Sequence, residues 1–110
     1  MDAKAIYLVK FWVKPGSEEK VFTWLDGGHL KDVVAQPGFL WARRYRMEDD
    51  KDGWRAYAII YGVESLQALK TYSASAAAKR YAQERIDLGL DPLLRMDRSW
   101  GTLDKTVDRS

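Results

Sequence analysis

Few side chains in this chain are suited to chemistry, and they cluster. His29 is the only histidine and follows Asp26-Gly27-Gly28. Its imidazole is the one side chain here whose ordinary pKa lies near neutrality, which suits proton transfer. Further on, Arg43, Arg44 and Arg46 are interleaved with aromatics in FLWARRYRM. On a strand, Arg44 and Arg46 share a face and Arg43 takes the other. A buried guanidinium needs an anion, either a protein carboxylate such as Glu84 or Asp97 or a carboxylate, phenolate or enolate ligand. Tyr45, Tyr57, Tyr61 and Tyr72 can donate to an oxyanion. Trp24, Trp41, Trp54 and Trp100 can wall an aromatic ligand. From this set the reading takes His29 as the catalytic residue, with Arg44, Tyr57, Tyr72, Trp24 and Trp41 binding substrate. The competing reading makes His29 a helix-surface or capping residue and the aromatics core or interface.

Composition removes several classes. No Cys is present among 110 residues, so there is no disulfide framework, thiolate nucleophile or Cys-ligated metal. One His cannot build a zinc site within a chain. There is no phosphate loop, GxSxG or dinucleotide fingerprint. The acidic stretch Glu48–Gly53 lacks the spacing and length of a calcium loop and reads as a solvated hairpin. A net charge of +2 does not call for a polyanionic partner. No apolar run approaches a membrane span, and the N-terminus does not read as a signal peptide. A cytoplasmic protein is expected.

The elements that position these residues follow from periodicity. Residues 4–14 alternate, with Tyr7, Val9, Phe11 and Val13 on one face and Ile6, Leu8, Lys10, Trp12 and Lys14 on the other, as in a strand. Ser17 reads as an N-cap, with Glu18 and Glu19 in the first turn of a helix. The two adjacent glycines cost roughly 2 kcal/mol of helix propensity, so a kinked or two-part helix is expected over 17–35, stopped by Pro37-Gly38. Strands are expected over 39–48 and 54–62, joined by an Asp-Gly hairpin. A helical region starts near Glu64-Ser65, with a possible new cap at Ser73 or Ser75, and ends at Gly89. A weaker strand covers 94–103, and residues 103–110 form a loose or partner-contacting tail. The order βαββαβ predicts one α+β, ferredoxin-like domain over 1–110, a four-stranded antiparallel sheet with both helices on one face. The other face, carrying Ile6, Leu8 and Trp12, is expected to be covered by a second chain.

The order βαββαβ, the bare face and the segment HLKDVVAQPGFLWARRYR together resemble the dimeric α+β barrel superfamily. That group includes antibiotic-biosynthesis-monooxygenase-like, EthD-like and stress-responsive barrel proteins. His29, Pro37-Gly38-Phe39, Arg44-Tyr45-Arg46 and the Tyr72–Ser75 region carry the likeness. It implies a homodimer whose sheets close into a barrel, and a pocket in each subunit for an aromatic or polyketide-like molecule. Quinol-oxygenating and haem-degrading members rely on an Asn in the pocket, and this chain has no Asn. The resemblance therefore implies a cofactor-independent isomerase, cyclase or lyase acting on an aromatic, lactone or cyclic enol or ketone by His-mediated proton transfer. A non-catalytic ligand-binding or accessory protein is the alternative, and a cofactor-free monooxygenase or haem-binding protein a remoter one. RNA-recognition domains share the element order, but WRAYAIIYG lacks their basic aromatic consensus, so no nucleic-acid partner is expected.

Overall fold

A computed structural model describes residues 2–109. The strands are β1 (Ala5–Val13), β2 (Phe39–Arg46), β3 (Arg55–Val63) and β4 (Leu94–Thr102), antiparallel in the order β2-β3-β1-β4. The helices are α1 (Glu18–Trp24), α2 (Leu30–Val34), α3 (Leu66–Ser73) and α4 (Ala76–Asp87). A π-helical turn, Leu25–His29, joins α1 to α2, and a short 3-10 turn, Asp91–Leu93, leads into β4. This is the α+β, ferredoxin-like architecture that the sequence predicts. No helix among the described residues is long and apolar enough to cross a membrane.

Period-two patterning decides what each face of the sheet meets. Phe11, Val13, Ile59, Tyr61, Val63 and Phe39 point to the helices and bury against Val21, Leu25, Val33, Leu69, Tyr81 and Leu90. The caps vary in quality. Ser65 and Ser75 accept from the backbone N–H groups of Ala68 and Ala78 at 3.1 and 3.2 Å, which is why one helical region becomes two, divided at Ser75. Ser17 forms no such bond, so the cap expected there is absent and α1 begins without it. Asp52 and Gly53 both take positive φ, 54° and 80°, giving the tight hairpin turn that Asp-Gly signals.

The opposite face is only partly bare. Trp12 is 4% exposed, and what covers it is the chain's own hairpin tip. Its Nε1 donates to the Asp49 carbonyl at 3.1 Å, and the Lys10 and Lys51 ammonium groups lie 5.1 and 4.7 Å from its ring centre. The expectation that a second chain buries Trp12 is thereby corrected: a cation–π sandwich within the chain does so. Trp41 lies flat on Gly62, where a Cβ would meet its ring at 2.3 Å. What remains open includes Ile6, 40% exposed, beside Leu8 and Ile60.

Candidate functional site

Between the helix-facing side of β1, β3 and β4 and the helices lies a cavity of about 480 Å³. It opens past β4, where Trp100 is 62% exposed. Its position follows from register: Tyr7 pairs with Trp100, Val9 with Arg98 and Phe11 with Met96, so alternate β4 residues continue the core face beyond the reach of the helices. Trp24, His29, Tyr72, Tyr81 and Arg85 close the opposite wall.

The π-turn builds the centre of that wall. In an α-helix, at about 100° per residue, positions five apart stand about 140° apart. The backbone N–H of Leu30 instead bonds the carbonyl of Leu25, and the chain kinks between the two helices at Gly28, whose backbone angles are not helical. Trp24 and His29 therefore stack, with ring centroids 3.9 Å apart and planes at 19°. Gly28 makes the turn possible, since its φ of 154° is one that L side chains rarely adopt. Tyr81 meets the imidazole edge-on at 5.1 Å. The Trp24 indole donates to Glu84 Oε1 at 2.7 Å and is fixed by it.

His29 is held neutral. Burial pushes its pKa down to about 4, against the upward pull of Glu84 and Asp32 and with a further push from Arg85. Its Nδ1 is buried without a hydrogen-bond partner among the described residues, which leaves Nε2 as the nitrogen open to the cavity. An orphaned buried N–H is harder to sustain than an orphaned lone pair, so the neutral ring carries its proton on Nε2. The imidazole then faces the cavity as a hydrogen-bond donor, as a depressed-pKa histidine can when it polarises a carbonyl.

The other polar groups around the cavity are also donor-capable. They include the guanidinium groups of Arg85 and Arg98 and the phenols of Tyr7, Tyr61 and Tyr72, and among the described residues no carboxylate lines the wall. Arg85 is held by Asp91 at 2.5 Å. Desolvation raises the pKa of all three phenols, Tyr72 to about 12, so each stays protonated and able to donate.

Of the residues assigned a role from sequence, His29, Trp24 and Tyr72 line the cavity while Arg44, Tyr57 and Trp41 do not; Tyr61 and Trp100, named among the wider candidates, line it too. Arg44 forms a bidentate pair with Asp26 at 2.7 and 3.2 Å, over the Phe22 ring. Its anion is thus a carboxylate of the chain, though neither Glu84 nor Asp97. Tyr57 stacks on Phe11 and meets Phe22 edge-on. Trp41 lies on the opposite face of the sheet under Arg43. Sequence reasoning passed over Tyr7, Tyr81, Arg85 and Arg98. The alternation Met96, Arg98, Trp100 is the signal that marks the last of these. Among the described residues no three His, Asp or Glu side chains gather where they could hold a metal ion.

The four-stranded antiparallel sheet with helices on one face is the fold shared with solved antibiotic-biosynthesis-monooxygenase-like and EthD-family structures. The chain belongs to the family described as "Domain of unknown function (DUF4286)", whose model matches residues 4–86. Among solved structures, a variant of SnoaB, a cofactor-independent oxygenase from Streptomyces nogalater, is 20% identical with a TM-score of 0.69, covering 97% of this chain and 100% of that one. The ActVA-Orf6 monooxygenase of Streptomyces coelicolor, in complex with nanaomycin D, is 23% identical with a TM-score of 0.66, covering 98% and 94%. The haem degrader MhuD of Mycobacterium tuberculosis is 17% identical with a TM-score of 0.68, covering 94% and 99%. No curated protein matches the sequence.

The haem of that last neighbour can be tested against the donor set here. A metal-bound histidine almost always donates its second ring N–H to a partner that fixes the tautomer. With Nε2 as ligand, that N–H would be the buried Nδ1, which has no such partner among the described residues. His29 therefore does not fit the role of a haem axial ligand.

Proposed function

We propose that the chain is a cofactor-independent enzyme for a planar aromatic or cyclic enolic small molecule, which it binds and converts as an anion. One observation carries this reading: an aromatic-walled cavity of about 480 Å³ whose polar lining includes several donors and no carboxylate. Such a lining lowers the energy of an enolate or phenolate more than that of its neutral parent, which is transition-state stabilisation wherever negative charge develops on oxygen. In this proposal His29 donates from Nε2, Tyr72 donates from its phenol, and Trp24 supplies the stacking surface.

The numbers favour a donating over an abstracting His29. Moving a proton from a phenol of pKa near 10 to an imidazole near 4 costs about 8 kcal/mol, at about 1.36 kcal/mol per unit. That is half of the roughly 16 kcal/mol barrier of an enzyme turning over about ten times per second. Ionisation to solvent, assisted by the donors, avoids that cost. From the bound anion, isomerisation, cyclisation or elimination is the reaction proposed first. Oxygenation by dioxygen is the second, favoured by two structural neighbours, a cofactor-independent oxygenase and a monooxygenase.

Incubating the protein with phenolic, quinol and lactone compounds in air, with mass spectrometry of the products, separates these. An isobaric product supports the first reaction and a gain of oxygen the second. Loss of turnover in His29→Ala, with binding retained, supports the role of the imidazole. Ligand-induced changes in Trp fluorescence without conversion of any compound would leave a binding or accessory protein.

We further propose that the chain forms one domain and works in the cytoplasm as a homodimer, paired through the open sheet face around Ile6, with the tail from Leu103 reaching the partner. Leu103 and Val107 are 57% and 81% exposed, an apolar cost that such a contact would relieve. Analytical ultracentrifugation of the protein and of Ile6→Lys tests this. A monomer at micromolar concentration, or a dimer indifferent to the substitution, refutes it.

A further inference from the structure

We infer that Arg98, with the phenols of Tyr7, Tyr61 and Tyr72, forms a subsite at the cavity mouth for a second anionic group, a carboxylate or ionised phenol, carried by a planar aromatic ligand. The inference rests on the proposed reading of the cavity and names the feature by which it selects a ligand. Among the described residues, the guanidinium groups of Arg44, Arg46, Arg85 and Arg95 each have a carboxylate partner. Arg98, which lines the cavity, has none. Its contacts are the Tyr7 side chain and, at 3.8 Å, the Met96 sulfur. Neither neutralises its charge.

The phenols complete the arrangement. Tyr7 and Tyr61 stack at 5.8 Å across neighbouring strands. Tyr72 approaches from α3, and all three hydroxyls stand within the field of Arg98. The hydroxyls of Tyr61 and Tyr72 have no hydrogen-bond partner among the described residues, yet neither is sealed from the cavity. Glu84, Arg85 and Asp32 act on His29 and Arg98 does not, while Arg85, between the two, also reaches Tyr7 and Tyr72. The cavity thus has two polar ends, an imidazole donor at one and a cation with neutral donors at the other. Trp100, two residues from Arg98 on the same face of β4, offers its exposed ring to the flat body of a ligand.

The test is isothermal titration calorimetry at low ionic strength with 2-naphthoate and its neutral counterpart 2-naphthalenemethanol. A charge-assisted hydrogen bond predicts that naphthoate binds about tenfold more tightly or better. Arg98→Met brings the two affinities together, and Arg98→Lys keeps part of the preference. Arg95→Met, on the opposite face and paired with Asp52, leaves the preference intact. Equal affinities in the unaltered protein, or a preference unchanged by Arg98→Met, overturn the subsite while leaving the cavity as a ligand site. Binding of neither compound overturns both readings.

Discussion

His29 gives the sharpest single prediction, because one imidazole makes every histidine signal unambiguous. Its pKa lies near 6.5 in the unfolded chain and near 4 in the folded one. Above pH 6.5 both states hold the ring neutral and it contributes nothing to the pH dependence of stability. Between about 6.5 and 4 the unfolded chain takes up a proton that the folded chain refuses, so stability falls as pH falls. The difference of 2.5 units, at about 1.36 kcal/mol each, predicts a loss of about 3 kcal/mol, complete below pH 4. Carboxylates titrate in the same window, so the quantity to measure is a difference. Urea denaturation of the protein and of His29→Gln is followed by Trp fluorescence from pH 7.5 to 3.5. Relative to the variant, the protein is expected to lose about 3 kcal/mol across that range, and NMR should place the imidazole pKa near 4. A flat difference curve with a solvent-like titration would refute the burial argument and, with it, the neutral donor assigned to the cavity.

Three further outcomes follow from the same geometry. Gly28→Ala brings its Cβ only into ordinary contact with the Asp32 carboxylate, at 3.9 Å, but forces an alanine into a backbone region kept for glycine, which costs about 1–3 kcal/mol. By loosening the Trp24–His29 stack it should also move the imidazole pKa back toward 6.5, read by urea melts and NMR. Gly62→Val drives side-chain atoms into the Trp41 ring, which already lies 2.3 Å from a built Cβ. A loss of about 1–3 kcal/mol in thermal melts is expected, with ligand binding on the other face unchanged. Arg44→Ala breaks a part-exposed pair with Asp26 and should cost no more than about 1 kcal/mol while leaving naphthoate affinity intact. A large loss of affinity would return Arg44 to the site.

The elements were readable because each is dictated locally. Alternation on β1, serines ahead of α3 and α4, and Asp52-Gly53 in the hairpin all act within a few residues. The site was less readable because it depends on register. Nothing local says that Val9 faces Arg98, or that Arg44 finds Asp26 rather than a ligand. The Asp26-Gly27-Gly28 break was visible as a kink, but the Leu30–Leu25 bond across it, and the Trp24–His29 stack it allows, are not encoded in any periodicity. Trp41 and Tyr57 look alike in sequence to Trp24 and Tyr72. What separates them is tertiary: Trp24 and Tyr72 stand on helices that face the cavity, Trp41 lies on the far side of the sheet, and Tyr57 is taken up by Phe11 and Phe22.

A cavity lined by donors and free of carboxylates also constrains turnover. It retains whichever of substrate and product carries more negative charge. If the reaction consumes the anion, by protonation on carbon or by loss of an acidic group, the product leaves readily and the cycle is limited by chemistry. If the reaction makes a stronger anion, the same donors hold the product and release becomes the slow step. The dependence of steady-state rate on added product would therefore report the direction of charge change before the reaction itself is identified.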